Sequence, residues 1–303
     1  MNMNPLLTKQ NDTELIKLLK ASTVAYTKAK GGEIKITYFL LFLAVAYPAC
    51  YIYLFINDIK DDTLKHILFG FSFLVTILNQ IFSESFKGNT ARGAIFKEEF
   101  DTIIFNLSWK STLKKPDRSE VLHFSQQYNG EDIKDWYSTN LLTSIEHNTA
   151  VAICQHTNTT WDIVLRKTYR KWLYRLLVFY SMVLFALLIV LKVDALTIFL
   201  LLFCLLSFYI HFISLINGHT AAIKRRENIS KHLEEIIRNK KYINSNELRD
   251  IQDEIYNTRR EAAKVPNFFS DYCQKRLNAE AEEYIEEVNN IYKSGMTITP
   301  KQQ

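Results

Sequence analysis

Four long apolar runs alternate along the chain with polar segments that hold most of the lysines and arginines. The runs cover residues 38–56, 67–82, 173–191 and 195–216. Three of them have 19 to 22 residues, enough to cross a hydrocarbon layer roughly 30 Å thick at about 1.5 Å of rise per residue. The second run has 16 residues and needs its flanks to cross. The pattern predicts an all-α membrane protein with four transmembrane helices in two hairpins.

The predicted hairpins, at 37–82 and 172–216, leave three polar segments outside the membrane. These are an N-terminal helix at 1–36 and two helical arms at 83–171 and 217–303. Lysines and arginines flank the apolar runs on this side, so the positive-inside rule predicts that both termini and both arms are cytoplasmic. The chain has only 8 Gly and 5 Pro in 303 residues, which favours helix throughout.

Capping-box spacings mark two helix starts outside the membrane. They begin at Asn11 and Thr143 and predict helices at about 12–29 and 144–170. A glycine pair at 31–32 predicts the end of the first helix. The second helix meets no glycine or proline before the third apolar run, so we expect it to continue into the membrane.

The segment after the fourth run carries a short heptad-like seam. Two interpretations fit it equally well, packing within the monomer and a coiled coil between subunits. Its members are Ala222, Arg226, Ile229, Leu233, Ile236, Lys240 and Ile243.

A polar face lies directly ahead of the third apolar run. Its members are separated by three, four, four and three residues, so they share one side of a helix. Such a face contacts a partner or a ligand, or it meets water. The face consists of Gln155, Asn158, Asp162, Arg166 and Tyr169.

The second arm presents a similar face within residues 248–260. Arginine forks suit phosphodiesters, amides suit base edges, and aromatic rings suit base stacking. We therefore expect this face to meet the polar face of the first arm, with a ligand at the junction. The candidate ligand-binding residues are Gln155, Asn158, Trp161, Arg166, Arg249, Tyr256, Arg259 and Arg260.

Four carboxylates are predicted to orient these side chains rather than to touch a ligand. The structural alternative is that Glu98 and Asp101 pair with Arg166 or Arg259 across a helical bundle, without any ligand. The orienting carboxylates are Glu98, Asp101, Asp162 and Asp253.

Polar stripes also occur inside two of the predicted membrane helices. Small hydroxyl residues commonly pack membrane helices together, whereas a water-lined path is the functional alternative. A path would require several subunits, since one four-helix protomer has little room for a pore. The stripes consist of Ser72, Thr76 and Asn79, and of Ser207, His211 and Ser214.

Motifs typical of catalysis are not found in the sequence. It holds no glycine-rich phosphate loop, no G-x-S-x-G, no H-E-x-x-H and no C-x-x-C. His147 and His156 have no third ligand in register. We expect a protein that is not an enzyme and that has no metal site and no cofactor.

The chain resembles the SMODS-associated four-transmembrane effectors of CBASS antiphage defence. The resemblance covers most of the sequence and rests on the order hairpin, arm, hairpin, arm. It also rests on EEFDTIIFNLSW after the second run, DWY at 135–137, CQHTNTTWDIVLR before the third run, and RDIQDEIYNTRR followed by Pro266 and Phe268.

The resemblance implies an effector of the bacterial inner membrane. A cyclic-nucleotide synthase senses phage, the arms bind the cyclic oligonucleotide, and a homo-oligomer then forms a pore in the lipid membrane or disrupts it. DNA is not an expected partner. The alternative is an integral-membrane scaffold that recruits proteins through its arms without a small ligand.

Overall fold

The computed structural model describes residues 4–57, 59, 62–85 and 87–294, and every regular element in these ranges is helical. The predicted all-α class is therefore confirmed. The ends of the first and last predicted segments, 1–3 and 295–303, lie outside the described residues. A 3₁₀ turn at Pro5–Leu7 precedes α1 (Thr13–Ile56), α2 (Asp62–Ser85), α3 (Lys87–Ile104), α4 (Arg118–Ser125), α5 (His147–Val190), α6 (Ala195–Cys204), α7 (Leu206–Arg238), α8 (Ser245–Glu261) and α9 (Asn267–Ser294).

Helix α1 is a single helix of 44 residues, so the predicted end at the glycine pair is wrong. Each glycine costs only about 1 kcal/mol relative to alanine inside a helix. Burial on both sides of the pair outweighs that cost, because Ala29 and Gly32 are buried. The polar half of α1 packs against α3 and α4, and Ser22 donates a hydrogen bond of 2.8 Å to the carbonyl oxygen of Gly93.

Helix α5 also has 44 residues and runs from the first arm into the third apolar run. The predicted continuity is confirmed. The helix begins at His147, three residues later than the capping box indicates, with Glu146 in an extended conformation as its N-cap. Structural changes around the polar face of α5 therefore have an unbroken helical route to the apolar half.

The fourth apolar run is not one helix. It bends by 51° between α6 and α7, at Leu205. Side chains of α2 meet the break, where Ser72 donates a hydrogen bond of 3.0 Å to the carbonyl oxygen of Cys204 and Thr76 bonds to Ser207. At such a break, a side-chain hydroxyl can donate to a carbonyl oxygen that a regular helix would bond to a backbone N–H.

Membrane-crossing capacity differs among the described helices. Helices α1 and α5 are long and apolar enough to cross a bilayer, and α6 with α7 makes a third crossing if the bent pair is one span. Helix α2 contributes a shorter apolar stretch at His66–Asn79. Helix length and composition therefore account for two or three crossings among the described residues.

Two cores stabilise the chain, one in the arms and one at the level of the apolar runs. The arm core contains Phe96, Phe100, Ile153 and Leu233, and the second core contains Leu173 and Phe212, all of them buried. The seam residues of α7, from Ala222 to Ile236, are buried within the monomer against α5 and α8, whereas Lys240 lies beyond the end of α7 and is exposed.

Candidate functional site

A first buried network of charges joins α3 to α8. The carboxylate of Asp101 is fully buried and accepts hydrogen bonds from Lys97, from Tyr137 at 2.7 Å and from Arg259 at 2.6 Å. Burial alone would raise the pKa of Asp101, but Lys97 and Arg259 outweigh it and lower that pKa. Asp101 therefore stays ionised and fixes both cations.

The same network continues through Glu98. This carboxylate pairs with Arg249 and accepts a hydrogen bond of 2.7 Å from Gln252, which in turn accepts one of 3.1 Å from Gln155 on α5. Arg249 also binds Asp253 at 2.7 Å. We call these residues the α3–α8 network: Lys97, Glu98, Asp101, Tyr137, Arg249, Gln252, Asp253 and Arg259.

The buried charges of the α3–α8 network balance. The three cations Lys97, Arg249 and Arg259 face the three carboxylates Glu98, Asp101 and Asp253, and the partly exposed Lys110 pairs with Asp253 from the surface at 2.8 Å. A buried cation paired in this way has little remaining attraction for an outside anion, and removal of either partner is costly. The α3–α8 network therefore has the properties of a structural joint.

A second buried network joins α5 to α7. Asp162 accepts a hydrogen bond from Nε of Arg166, at 2.5 Å, and forms an ion pair with Nε of Arg226, at 2.8 Å. Arg166 also donates to the carbonyl oxygen of Ala263 at 2.5 Å and to Nδ1 of His219 at 3.2 Å. We call Asp162, Arg166, His219 and Arg226 the α5–α7 network.

Positive charge exceeds negative charge in the α5–α7 network. Two guanidiniums share one carboxylate, and together they lower the pKa of Asp162 well below its usual range despite its burial. Burial, with the charge of Arg166, lowers the pKa of His219 to about 3, so this imidazole is neutral at pH 7. Burial also lowers the pKa of Arg226 to about 10, although Asp162 acts in the opposite direction.

Tyr26 and Lys264 connect the two networks. The ammonium of Lys264 lies 4.7 Å from the centre of the Tyr26 ring and donates a hydrogen bond of 3.0 Å to the carbonyl oxygen of Arg259. Burial, with the charge of Arg166, lowers the pKa of Lys264 to about 7. Lys264 therefore titrates near neutral pH and adds positive charge next to the two guanidiniums of the α5–α7 network when it is protonated.

Three polar atoms at this junction are buried without a hydrogen-bond partner in the described part of the chain. They are Oη of Tyr26, Nη1 of Arg226 and Nε2 of His219. Buried donors are nearly always satisfied in native proteins, because an unmade hydrogen bond costs about 1–3 kcal/mol. A site with unused donors and surplus positive charge is suited to an anion.

The remaining candidate ligand residues lie at the margins of the two networks. Trp161 donates a hydrogen bond of 3.0 Å to Asn278 on α9, and Asn158 is half-buried. Tyr256 is buried beneath Arg260, which is itself exposed and pairs with Glu261. The structure therefore places Arg166, Arg249 and Arg259 in the two networks and bonds Gln155 to Gln252 at the edge of one of them. The other four candidates, Asn158, Trp161, Tyr256 and Arg260, lie outside both networks.

Sequence reasoning did not select several members of the site. Arg226 gave a signal, because it occupies a buried position in the apolar seam of α7. Tyr137 belongs to the DWY motif, but the sequence pattern predicted no contact for it. Lys97, His219 and Lys264 gave no local signal, since their burial depends on how the helices pack.

Polar side chains of the predicted membrane stripes bond to other helices. Besides the Ser72 and Thr76 contacts, His211 Nε2 lies 2.9 Å from Oγ1 of Thr37 on α1. Oδ1 of Asn79 is buried without a partner among the described residues, and Ser214 is exposed. These contacts hold α2 and α7 in place and leave Asn79 and Ser214 without an observed packing role.

Comparisons with known proteins agree with this architecture. The family model described as the SMODS-associating 4TM effector domain matches residues 4–288. A probable CBASS effector molecule of Bacillus cereus strain VD146 is 27% identical over 183 residues, which cover 58% of this chain and 60% of that protein. No solved structure matches the chain. The resemblance in the sequence motifs is thus confirmed across almost the whole described chain, and the protein belongs to the SMODS-associating 4TM effector family.

Proposed function

We propose that this chain is an antiphage effector that binds a cyclic oligonucleotide at the α5–α7 network and then permeabilises the bacterial inner membrane. The observation that carries the proposal is the surplus of buried positive charge around Asp162, together with the unused Nη1 donor of Arg226. Phosphodiesters supply delocalised negative charge, which guanidinium forks bind through charge-assisted hydrogen bonds.

The two networks differ in the ratio of cations to carboxylates, and we therefore assign them different functions. Arg249 and Arg259 hold α3 against α8 through Glu98 and Asp101. Arg166 and Arg226 share a single carboxylate, so a phosphate that enters beside them supplies the missing negative charge. Asp162 then orients the two guanidiniums and does not contact the phosphate, because its own charge repels it.

Helices α5 and α7 connect the proposed binding site directly to the apolar runs. Arg166 lies on α5 and Arg226 on α7, and both helices extend from the arms into apolar runs. A ligand that changes the separation of these arginines rotates or tilts both helices together. We propose that this motion, in a homo-oligomer with four membrane crossings per subunit, opens a path for solutes.

Binding is tested with the purified full chain in detergent against a panel of cyclic di- and trinucleotides. We expect one of them to bind, and Arg226→Ala to weaken its affinity by about 10- to 100-fold, the effect of losing one hydrogen bond to a charged group. Arg225→Ala is the matched control, because Arg225 is the neighbouring residue and pairs with Glu261 at the exposed surface.

Permeabilisation is measured as dye release from vesicles that contain the chain. The cyclic nucleotide that binds should release dye with the wild type and with Arg225→Ala, and only weakly with Arg226→Ala. The proposal fails if no member of the panel binds, which is the result expected of a scaffold, or if Arg226→Ala binds as tightly as the control at an unchanged melting temperature.

A further inference from the structure

A small cavity opens between α1 and α5 where the arms meet the apolar halves of these helices. We call it the α1–α5 slot. Its volume is about 40 Å³, room for roughly three water molecules. The slot is not part of either charged network, although Lys264 lines it as well as joining them.

One end of the slot is polar and holds two lysines. Lys30 and Lys264 both line it, and Lys30 donates a hydrogen bond of 2.7 Å to Asn267 at the start of α9. Glu33 also lines this end, and burial raises its pKa, although Lys264 and Arg166 act in the opposite direction. Burial lowers the pKa of Lys30, whereas the carboxylate of Asp271 on α9 raises it. An anion in the slot meets Lys30 and the positive end of the α9 dipole, and its negative charge favours the ammonium form of Lys264.

The other end of the slot is apolar and lies near the beginning of two of the apolar runs. Leu41 and Leu176 line it, and both belong to apolar runs. Three aromatic residues frame its mouth and remain open to the surroundings: Tyr38 is 58% exposed, Trp172 41% and Phe268 54%. Aromatic rings are enriched where a bilayer meets water, so the mouth faces the lipid head-group region.

We infer that the α1–α5 slot binds one phospholipid from the leaflet next to the arms. Its phosphate lies between Lys30 and Lys264, and an acyl chain follows Leu41 and Leu176. Lipid is the occupant that fits a site with a polar end lined by two lysines, an apolar end and a mouth framed by aromatic residues next to the apolar runs. This inference stands on the slot alone and does not depend on a cyclic oligonucleotide.

A lipid in the slot would connect elements that also build the α5–α7 network. Lys264 lies next to Ala263, whose carbonyl oxygen accepts a hydrogen bond from Arg166. A bound phosphate therefore holds the segment between α8 and α9 against α1 and α5. We expect bound lipid to stabilise the resting arrangement of the arms.

Lipid binding is measured on the detergent-solubilised full chain by thermal melting and native mass spectrometry. The probes are dioleoyl-phosphatidylglycerol, dioleoylglycerol as a lipid with the same chains but no phosphate, and inorganic phosphate alone. Lys30→Gln removes one ammonium, and Lys35→Gln is its matched control, because Lys35 is exposed on the same helix. Leu41→Trp leaves all charges in place and fills the apolar end.

The phospholipid should raise the melting temperature of the wild type and of Lys35→Gln by several degrees and remain bound in the mass spectrum. Both effects should be largely lost in Lys30→Gln and in Leu41→Trp, and dioleoylglycerol should produce neither. An equal shift with dioleoylglycerol, an equal shift with inorganic phosphate alone, or full binding by both variants overturns the inference. If Lys30→Gln does not fold, lipid binding by Leu41→Trp alone tests the inference.

The same samples distinguish failure of the proposed function from failure of the lipid inference. Loss of cyclic-nucleotide binding in Arg226→Ala with an unchanged lipid shift supports both proposals. The absence of any nucleotide binding with a retained lipid shift refutes the proposed function alone.

Discussion

Asp101 shows how one buried residue holds several helices together. It lies on α3 and receives hydrogen bonds from Lys97, Tyr137 and Arg259 while remaining fully buried. A neutral replacement leaves two buried cations without their counter-ion. We expect Asp101→Asn to lower the free energy of unfolding by about 3–5 kcal/mol, measured by denaturant or thermal melts in detergent.

An exposed carboxylate gives the control for this prediction. Asp132 pairs with Lys20 at 3.1 Å on the surface, and exposed pairs contribute little to stability. Asp132→Asn should therefore melt like the wild type. Similar melting of the Asp101 and Asp132 variants would mean that the α3–α8 network does not stabilise the arms.

His219 gives the fold a defined response to acid. Its pKa is lowered to about 3 in the folded chain, whereas an unfolded histidine has a pKa of about 6.5. Between these values the unfolded state binds more protons, so the free energy of unfolding decreases as the pH falls. The slope reaches at most about 1.4 kcal/mol per pH unit for this residue.

His219→Asn removes the titrating group and keeps an acceptor near Nδ1. We expect its melting temperature to fall less than that of the wild type between pH 6.5 and 4. Part of the dependence remains, because burial lowers the pKa of His156 to about 4 as well. Parallel pH profiles of the two proteins would show that His219 is not buried in its neutral form.

At the scale of the element, α1 depends on two glycines in opposite ways. A Cβ on Gly31 would have no atom within 4 Å, whereas a Cβ on Gly93 of α3 would lie 2.8 Å from the Tyr26 ring of α1. Gly31→Ala should stabilise the protein by about 0.5–1 kcal/mol, since alanine loses less backbone entropy in a helix. Gly93→Ala should destabilise it by about 1–3 kcal/mol through overpacking.

Both glycine variants are compared with the wild type by thermal melting. The result also tests whether α1 must bend at 31–32 during activity. If it must, Gly31→Ala should release less dye from vesicles even though it melts at a higher temperature. A lower melting temperature for Gly31→Ala would instead show that the pair is not in regular helix.

At the scale of the whole molecule, the distribution of charge around the apolar runs predicts an orientation in the membrane. The flanking lysines and arginines predict cytoplasmic arms. Alkaline phosphatase fused after Asn140, in the first arm, should be inactive. The same enzyme fused after Lys192, in the turn between α5 and α6, should be active. The opposite pattern would invert the topology, and activity at both sites would show that the chain does not cross the membrane between them.

The sequence by itself determined the features that depend on local pattern. Apolar runs, the unbroken course of α5 and the polar face at Gln155 and Arg166 all follow from hydropathy and from the 3.6-residue period. Those signals need no knowledge of a neighbouring helix. The family motifs likewise lie in contiguous stretches of the chain, so they too can be identified without the tertiary structure.

Tertiary structure alone decided which charges meet between helices. Asp162 and Arg166 lie four residues apart on α5, so their spacing already allows the pair, but Arg226 of α7 shares the same carboxylate. That second pairing depends on the rotation and register of α5 against α7, which no local spacing encodes. Packing also determined that α1 continues through its glycine pair, at a cost of about 1 kcal/mol per glycine, and that the fourth run bends at Leu205, where Ser72 and Thr76 of α2 bond to Cys204 and Ser207.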